Sequence, residues 1–118
     1  MADRYEDFKN RLPKSYVDFV ENNHAWVGEL SERLGYAVVW SPAEVQENWD
    51  GYQMAEFLTN SDRWFPFGSN GGGEMLTFDL TAEDDTVFFI PFIGMSEKEA
   101  LAQDYRFEDM VTKIRAHR

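Results

Sequence analysis

The run from Trp64 to Leu80 constrains the fold more than any other part of the chain. An aromatic-rich extended stretch enters a turn made of Asn70, Gly71, Gly72 and Gly73, and leaves as an alternating strand. A tight reversal needs positive φ at its centre, which glycine and asparagine adopt at least cost. After the turn, Leu76, Phe78 and Leu80 fall on one face of the strand and Met75, Thr77 and Asp79 on the other. The segment therefore predicts a β-hairpin. Pro66 has no N–H to give a ladder, so its arm is either an edge strand or carries a bulge.

Helical patterns precede the hairpin. Tyr5, Phe8 and Leu12 form one apolar stripe, ended by Pro13. Tyr16, Phe19 and Val20 form a second, with Asn22-Asn23 as its stop because asparagine tolerates the left-handed conformation. Ala25 to Leu30 is a weak strand signal, and Tyr36 to Trp40 a stronger one opened by Gly35. Ser41-Pro42-Ala43-Glu44 is a capping box with proline at the first helical position. It predicts a helix to Trp49 or Asp50 that stops at Gly51. Met54 to Leu58 carries an ambiguous signal, for a short turn of helix.

After the hairpin, Thr81 to Asp85 is an acidic turn. Thr86 to Ile93 is apolar on both faces, which places it near the sheet centre or under a helix. Ser96 to Glu99 reads as a second capping box. Phe107, Met110, Val111 and Ile114 have helical spacing, with Lys113, Arg115 and Arg118 at the end that complements the helix dipole. The pattern is α+β: one domain over residues 1–118, a mostly antiparallel central sheet, N-terminal helices and a C-terminal helix packed on it.

A chain of 118 residues with 43% hydrophobic and 16% aromatic content can bury one core. It has no cysteine, which excludes disulfides and thiol chemistry. The acidic start is unlike a signal peptide, and no apolar run approaches the roughly 18 residues of a membrane span. A cytoplasmic chain without a membrane partner is expected. The net charge is −11, from 22 acidic and 11 basic residues. That charge repels nucleic acid and favours a basic protein partner. Between Leu34 and Ser96 the only basic residue is Arg63. Acidic charge clusters there at Glu44, Glu47 and Asp50, at Asp62, and at Glu83, Asp84 and Asp85, and these seven are the expected partner-binding residues.

The order of these pieces resembles the SUKH superfamily, a domain shared by many bacterial toxin-immunity proteins and a yeast cell-wall-assembly regulator. Leu12-Pro13-Lys14-Ser15-Tyr16-Val17-Asp18-Phe19-Val20 is similar to its opening helix, and Ser41 through Trp49 to its later helix. Phe67-Gly68-Ser69-Asn70-Gly71-Gly72-Gly73-Glu74 with Phe78-Asp79-Leu80 looks like its hallmark hairpin. Arg106-Phe107-Glu108-Asp109-Met110 resembles the start of its last helix. The chain departs at Asn22-Asn23-His24, where many members carry an asparagine-glycine turn. The resemblance implies a non-enzymatic immunity protein without cofactor or metal, which neutralises a toxin, often a nuclease. It equally allows an intracellular regulatory scaffold that binds cellular proteins.

No other constellation outweighs a structural role. The glycine run lacks the lysine and hydroxyl residue of a phosphate loop. Glu74 and Asp79 point to opposite strand faces, which disfavours a catalytic pair and a small enzyme with an acidic pocket. Three adjacent acids at 83–85 lack the alternating spacing of a calcium loop. His24 and His117 lie far apart in the chain. Trp26, Trp40, Trp49 and Trp64 each read as core.

Overall fold

The computed structural model describes residues 3–117; Met1, Ala2 and the dipole-complementing Arg118 lie outside the described residues. The order is α1 (Arg4–Phe8), a 3-10 turn (Lys9–Arg11), α2 (Lys14–Asn23), β1 (Trp26–Ser31), β2 (Gly35–Val39), α3 (Pro42–Gly51) and α4 (Met54–Phe57). Then come β3 (Trp64–Ser69), β4 (Glu74–Asp79), β5 (Thr86–Pro91), β6 (Leu101–Arg106) and α5 (Phe107–Ala116). The six strands form one antiparallel meander in chain order. The fold is α+β, with helices before the sheet and one after it.

The predicted hairpin is β3–β4. Phe65 pairs with Phe78, and Phe67 stacks on Phe78 at 4.2 Å between ring centroids. Tyr16 of α2 meets Phe65, Phe67, Phe78 and Phe107 with centroids 5.3 to 5.9 Å away. This ring cluster seats α2 and α5 on the sheet. Both faces of β4 are buried, so its alternation separates two covered faces instead of core from solvent.

Pro66 marks a bulge, not an edge. The register of β3 shifts between Pro66 and Gly68, and β3 lies inside the sheet between β2 and β4. The ladder to β2 has only the pairs Val38–Ser69 and Val39–Gly68, so Pro66 sits beyond it. At Gly68 the chains come too close for a side chain. A Cβ there would overlap the Val38 carbonyl oxygen and stand 3.2 Å from its carbon.

Three local expectations change. Ser96 opens only a 3-10 turn, Glu97–Glu99, and a sixth strand follows where a helix start was expected. An edge strand is commonly polar, and Leu101 to Arg106 carries little alternation to betray it. The α3 capping box forms as read: Glu44 N–H donates to Ser41 Oγ at 3.2 Å, and Ser41 N–H to Glu44 Oε1 at 2.8 Å. The helix nevertheless includes Gly51, and the reversal falls on Gln53 at φ 53°.

The third change is at the end of α2. Asn22 and Asn23 stay helical, and His24 takes φ 63°, ψ −60°. Ala25 N–H donates to Asn23 C=O at 2.7 Å, closing a γ-turn of the strained kind. Thr86 to Ile93, read as central or helix-covered, holds an inner strand, second from the β6 edge. Trp40, Trp49 and Trp64 are buried as read, whereas Trp26 is half-buried, its ring lying over Gly28 and 6.0 Å from the His117 ring. α5 touches both edge strands, and Arg33 in the β1–β2 turn bonds Asp104 of β6 at 3.2 Å. The sheet thus curls around the C-terminal helix.

Arg4 is a buried cation that the sequence pattern does not announce. Its guanidinium lies 3.5 Å from the Trp49 ring and donates to the carbonyls of Ser61 (3.0 Å) and Trp64 (2.8 Å). Burial pulls its pKa down to about 10, against the opposing pull of Asp62 and Asp7. It ties α1 to α3 and to the start of β3.

Two substitutions test this geometry. Gly68→Ala should lower the unfolding free energy by about 1–3 kcal/mol, because only backbone can yield there. Gly51→Ala meets open space in a helix and should be neutral or stabilising by up to about 1 kcal/mol. Chemical denaturation of both variants reads the difference, and equal effects would contradict the close approach. By the same measurement His24→Gly should stabilise by roughly 1 kcal/mol, since glycine relieves the positive φ.

Candidate protein-binding surface

The seven acids expected to bind a partner fall in three places. Glu44, Glu47 and Asp50 lie on the exposed side of α3. Asp62 borders a hollow of about 400 Å³, together with Arg11 and Arg63. Glu83, Asp84 and Asp85 line a hollow of about 370 Å³ between the β4–β5 turn, the start of α2 and Glu108. Neither hollow is lined by an α3 acid.

Asp85 is not a surface charge. It is 8% exposed, and its Oδ2 accepts from Ser15 Oγ (2.7 Å) and from the Glu108 N–H (3.0 Å). Its carbonyl accepts from the Phe107 N–H at 2.9 Å. It therefore caps α5 and joins that helix to α2. Asp84 holds its own turn by accepting from the Thr86 N–H (3.0 Å) and hydroxyl (2.6 Å), and those bonds keep its pKa below the usual value.

The structure adds acids to this corner that lie beyond the 34–96 segment: Asp18, Asp104, Glu108 and Asp109 line hollows that adjoin the turn. The first-turn pair Glu108-Asp109 is the sequence signal for them, since acids favour helix N-termini. Cations cancel much of this charge. Lys14 bonds Asp18 at 2.6 Å, Arg106 bonds Asp84 at 3.6 Å, and Arg33 bonds Asp104. Asp62 acts on the Arg4 cation, and its carbonyl accepts from Arg11 at 2.8 Å.

The α3 face differs. Glu44 makes its helix cap, and the Asp50 carboxylate accepts from the Gln46 amide, at 3.0 and 3.1 Å. No ion pair among the described residues involves Glu44, Glu47, Asp50 or Glu56. Over residues 34–96 the lone base, Arg63, is committed to Asp79. Glu44, Glu47, Asp50 and Glu56 thus give α3 and α4 a negative face with no ion pair among the described residues.

The remaining candidates are internally engaged. Asp79 accepts two bonds from Arg63, at 3.1 and 3.0 Å, and two from Thr81, at 2.9 and 2.6 Å. Asn70 Oδ1 accepts from the N–H of Gly72 (2.8 Å) and of Glu74 (3.2 Å), so the glycine run closes a turn. Among the described residues no group of three or more His, Asp or Glu is placed to hold a metal ion. Nor is any helix there long and apolar enough to cross a membrane.

Asp79 sets an acid dependence. Burial pushes its carboxyl up, but Arg63 and Thr81 outweigh that and hold it below the ordinary 3.8. The unfolded chain then binds the proton more readily. The stabilisation is present above the ordinary value and is lost as pH falls through the lowered one. Arg63 is half-exposed and screened, so the contribution is about 1 kcal/mol. Asp79→Asn should lose that stability at neutral pH, and its unfolding free energy should fall less steeply than the native chain's on acidification, as read by urea titrations across pH.

No curated protein matches the chain. The model of the SMI1 / KNR4 family (SUKH-1) matches residues 5–112, from α1 into α5 and across the whole sheet. The chain with this bulged hairpin and its uncancelled acidic face belongs to the SMI1 / KNR4 family (SUKH-1).

Proposed function

We propose that this protein is a non-enzymatic binding domain, an immunity protein of the cytoplasm that neutralises a basic toxin domain through the acidic face of α3 and α4. One observation carries the reading: Glu44, Glu47, Asp50 and Glu56 face solvent without an ion-pair partner among the described residues. A toxin that acts on nucleic acid needs a basic cleft for phosphates. An acidic protein can occupy such a cleft and reach it quickly by electrostatic steering. The corner around Glu83 and Glu108 is less suited, because Asp84, Asp85 and Asp109 there are engaged in turn and cap bonds and Arg106 lies beside Asp84 and Glu108. Asp79 and Asp85 support the non-enzymatic reading, being tied up in structural bonds.

The test starts from the basic protein captured on this chain from its own cell extract. At low salt, Glu47→Lys with Asp50→Lys should slow association about tenfold or more, and added salt should narrow the gap. Glu83→Lys with Glu108→Lys should change the rate little. The opposite ranking would move the interface to the β4–β5 turn. Capture of no basic protein, or a rate indifferent to both pairs, would refute the acidic-face mechanism.

A further inference from the structure

Steering charge brings a partner in, but screened surface charges hold it weakly. Beside the α3 acids lies an apolar shelf that could hold it. Tyr52, the residue that ends α3, packs its ring on Phe92 at 4.7 Å, and Phe92 lies 6.5 Å from the buried Trp40 ring. Ile93 follows and is 93% exposed, while Tyr52 is 48% exposed. The segment is fixed in place: Phe92 N–H donates to the Gly73 carbonyl of the glycine turn at 3.0 Å, and Gly94 turns the chain at φ 75°. A β-branched side chain held out in water gains nothing from folding, so its apolar surface is available to a partner.

We propose that the shelf of Tyr52, Phe92 and Ile93 is the anchoring part of the interface, and that it receives an apolar side chain flanked by lysine or arginine on the partner. This rests on the basic-partner reading above and specifies it further. The charge argument selects that occupant. Asp50 lies two residues before Tyr52 and Glu56 four after it, and neither has an ion-pair partner among the described residues. An apolar centre with an uncancelled acidic rim complements an apolar tip with a basic rim. Two copies of this chain would bring like charges together at the same rim.

Three model peptides of equal length probe this: one of lysine and leucine in amphipathic order, one with serine for leucine, and one with glutamate for lysine. Titrations give affinities, and backbone NMR shifts give the location. The lysine–leucine peptide should bind at Tyr52, Phe92 and Ile93 and at least tenfold tighter than the lysine–serine peptide, about what one buried aliphatic side chain supplies. Ile93→Ser should remove that advantage and leave the lysine–serine affinity unchanged. Its fold is safe, since Ile93 stands almost fully in solvent, and an unchanged urea midpoint verifies it. Equal affinities of the two cationic peptides, or shifts centred on Glu83 and Glu108, would overturn the shelf and leave the basic-partner reading standing. Binding of neither cationic peptide, or equal binding of the glutamate–leucine peptide, would overturn both. A native chain that sediments as a dimer while Ile93→Ser is monomeric would overturn the proposal in favour of a second copy as occupant.

Discussion

The structure hangs on one knot of rings. Tyr16 reaches from α2 to Phe65 and Phe67 on β3, Phe78 on β4 and Phe107 at the start of α5. Two helices from opposite ends of the chain and both arms of the hairpin meet at one side chain. Edge-to-face contacts of this kind add to the burial of large apolar area, and their geometry fixes how the elements sit. Tyr16 is so enclosed that burial, with Tyr5 adding to it, pushes its phenol pKa upward, and its hydroxyl has no hydrogen-bond partner among the described residues. Here the ring outweighs its polar atom.

The knot lies beside the bulge. The register shift falls between Pro66 and Gly68, next to the stretch where β3 also joins β2. The β2–β3 ladder is two pairs long, and Gly68 permits it by having no side chain. Proline and glycine, both weak strand formers, are thus what lets a strand serve two neighbours at once. At its other end the hairpin is closed by Asn70, and the turn's Gly73 carbonyl holds Phe92 beside Tyr52. The same hairpin that organises the core positions the exposed shelf.

Charge follows a different logic from the core. A net charge of −11 says that some surface is negative but not which. Folding brings Lys14, Arg33 and Arg106 to acids around the β4–β5 turn. It pairs none with an acid of α3 or α4 among the described residues. The clusters at Asp50 and at Asp84 look alike in sequence and become electrostatically unlike only when the chain is closed. For the binding role proposed above, that difference matters more than total charge.

Local signals in the sequence determined the hairpin, the α3 capping box, the second helix with Tyr16, Phe19 and Val20, and the last helix with Phe107, Met110, Val111 and Ile114. Each rests on neighbours within a few residues, where periodicity, caps and turn residues act. The acid-rich segment was legible too. Tertiary structure alone decided that Leu101 to Arg106 is a strand, because an edge strand takes its order from a partner and not from its own pattern. Only the fold made Pro66 a bulge, buried Arg4 on Trp49, and turned Asp85 from a presumed surface charge into a helix cap. The shelf at Tyr52, Phe92 and Ile93 was likewise invisible, since it joins residues forty positions apart. Short-range chemistry is written in the chain, whereas exposure and charge compensation are properties of which distant residues end up side by side.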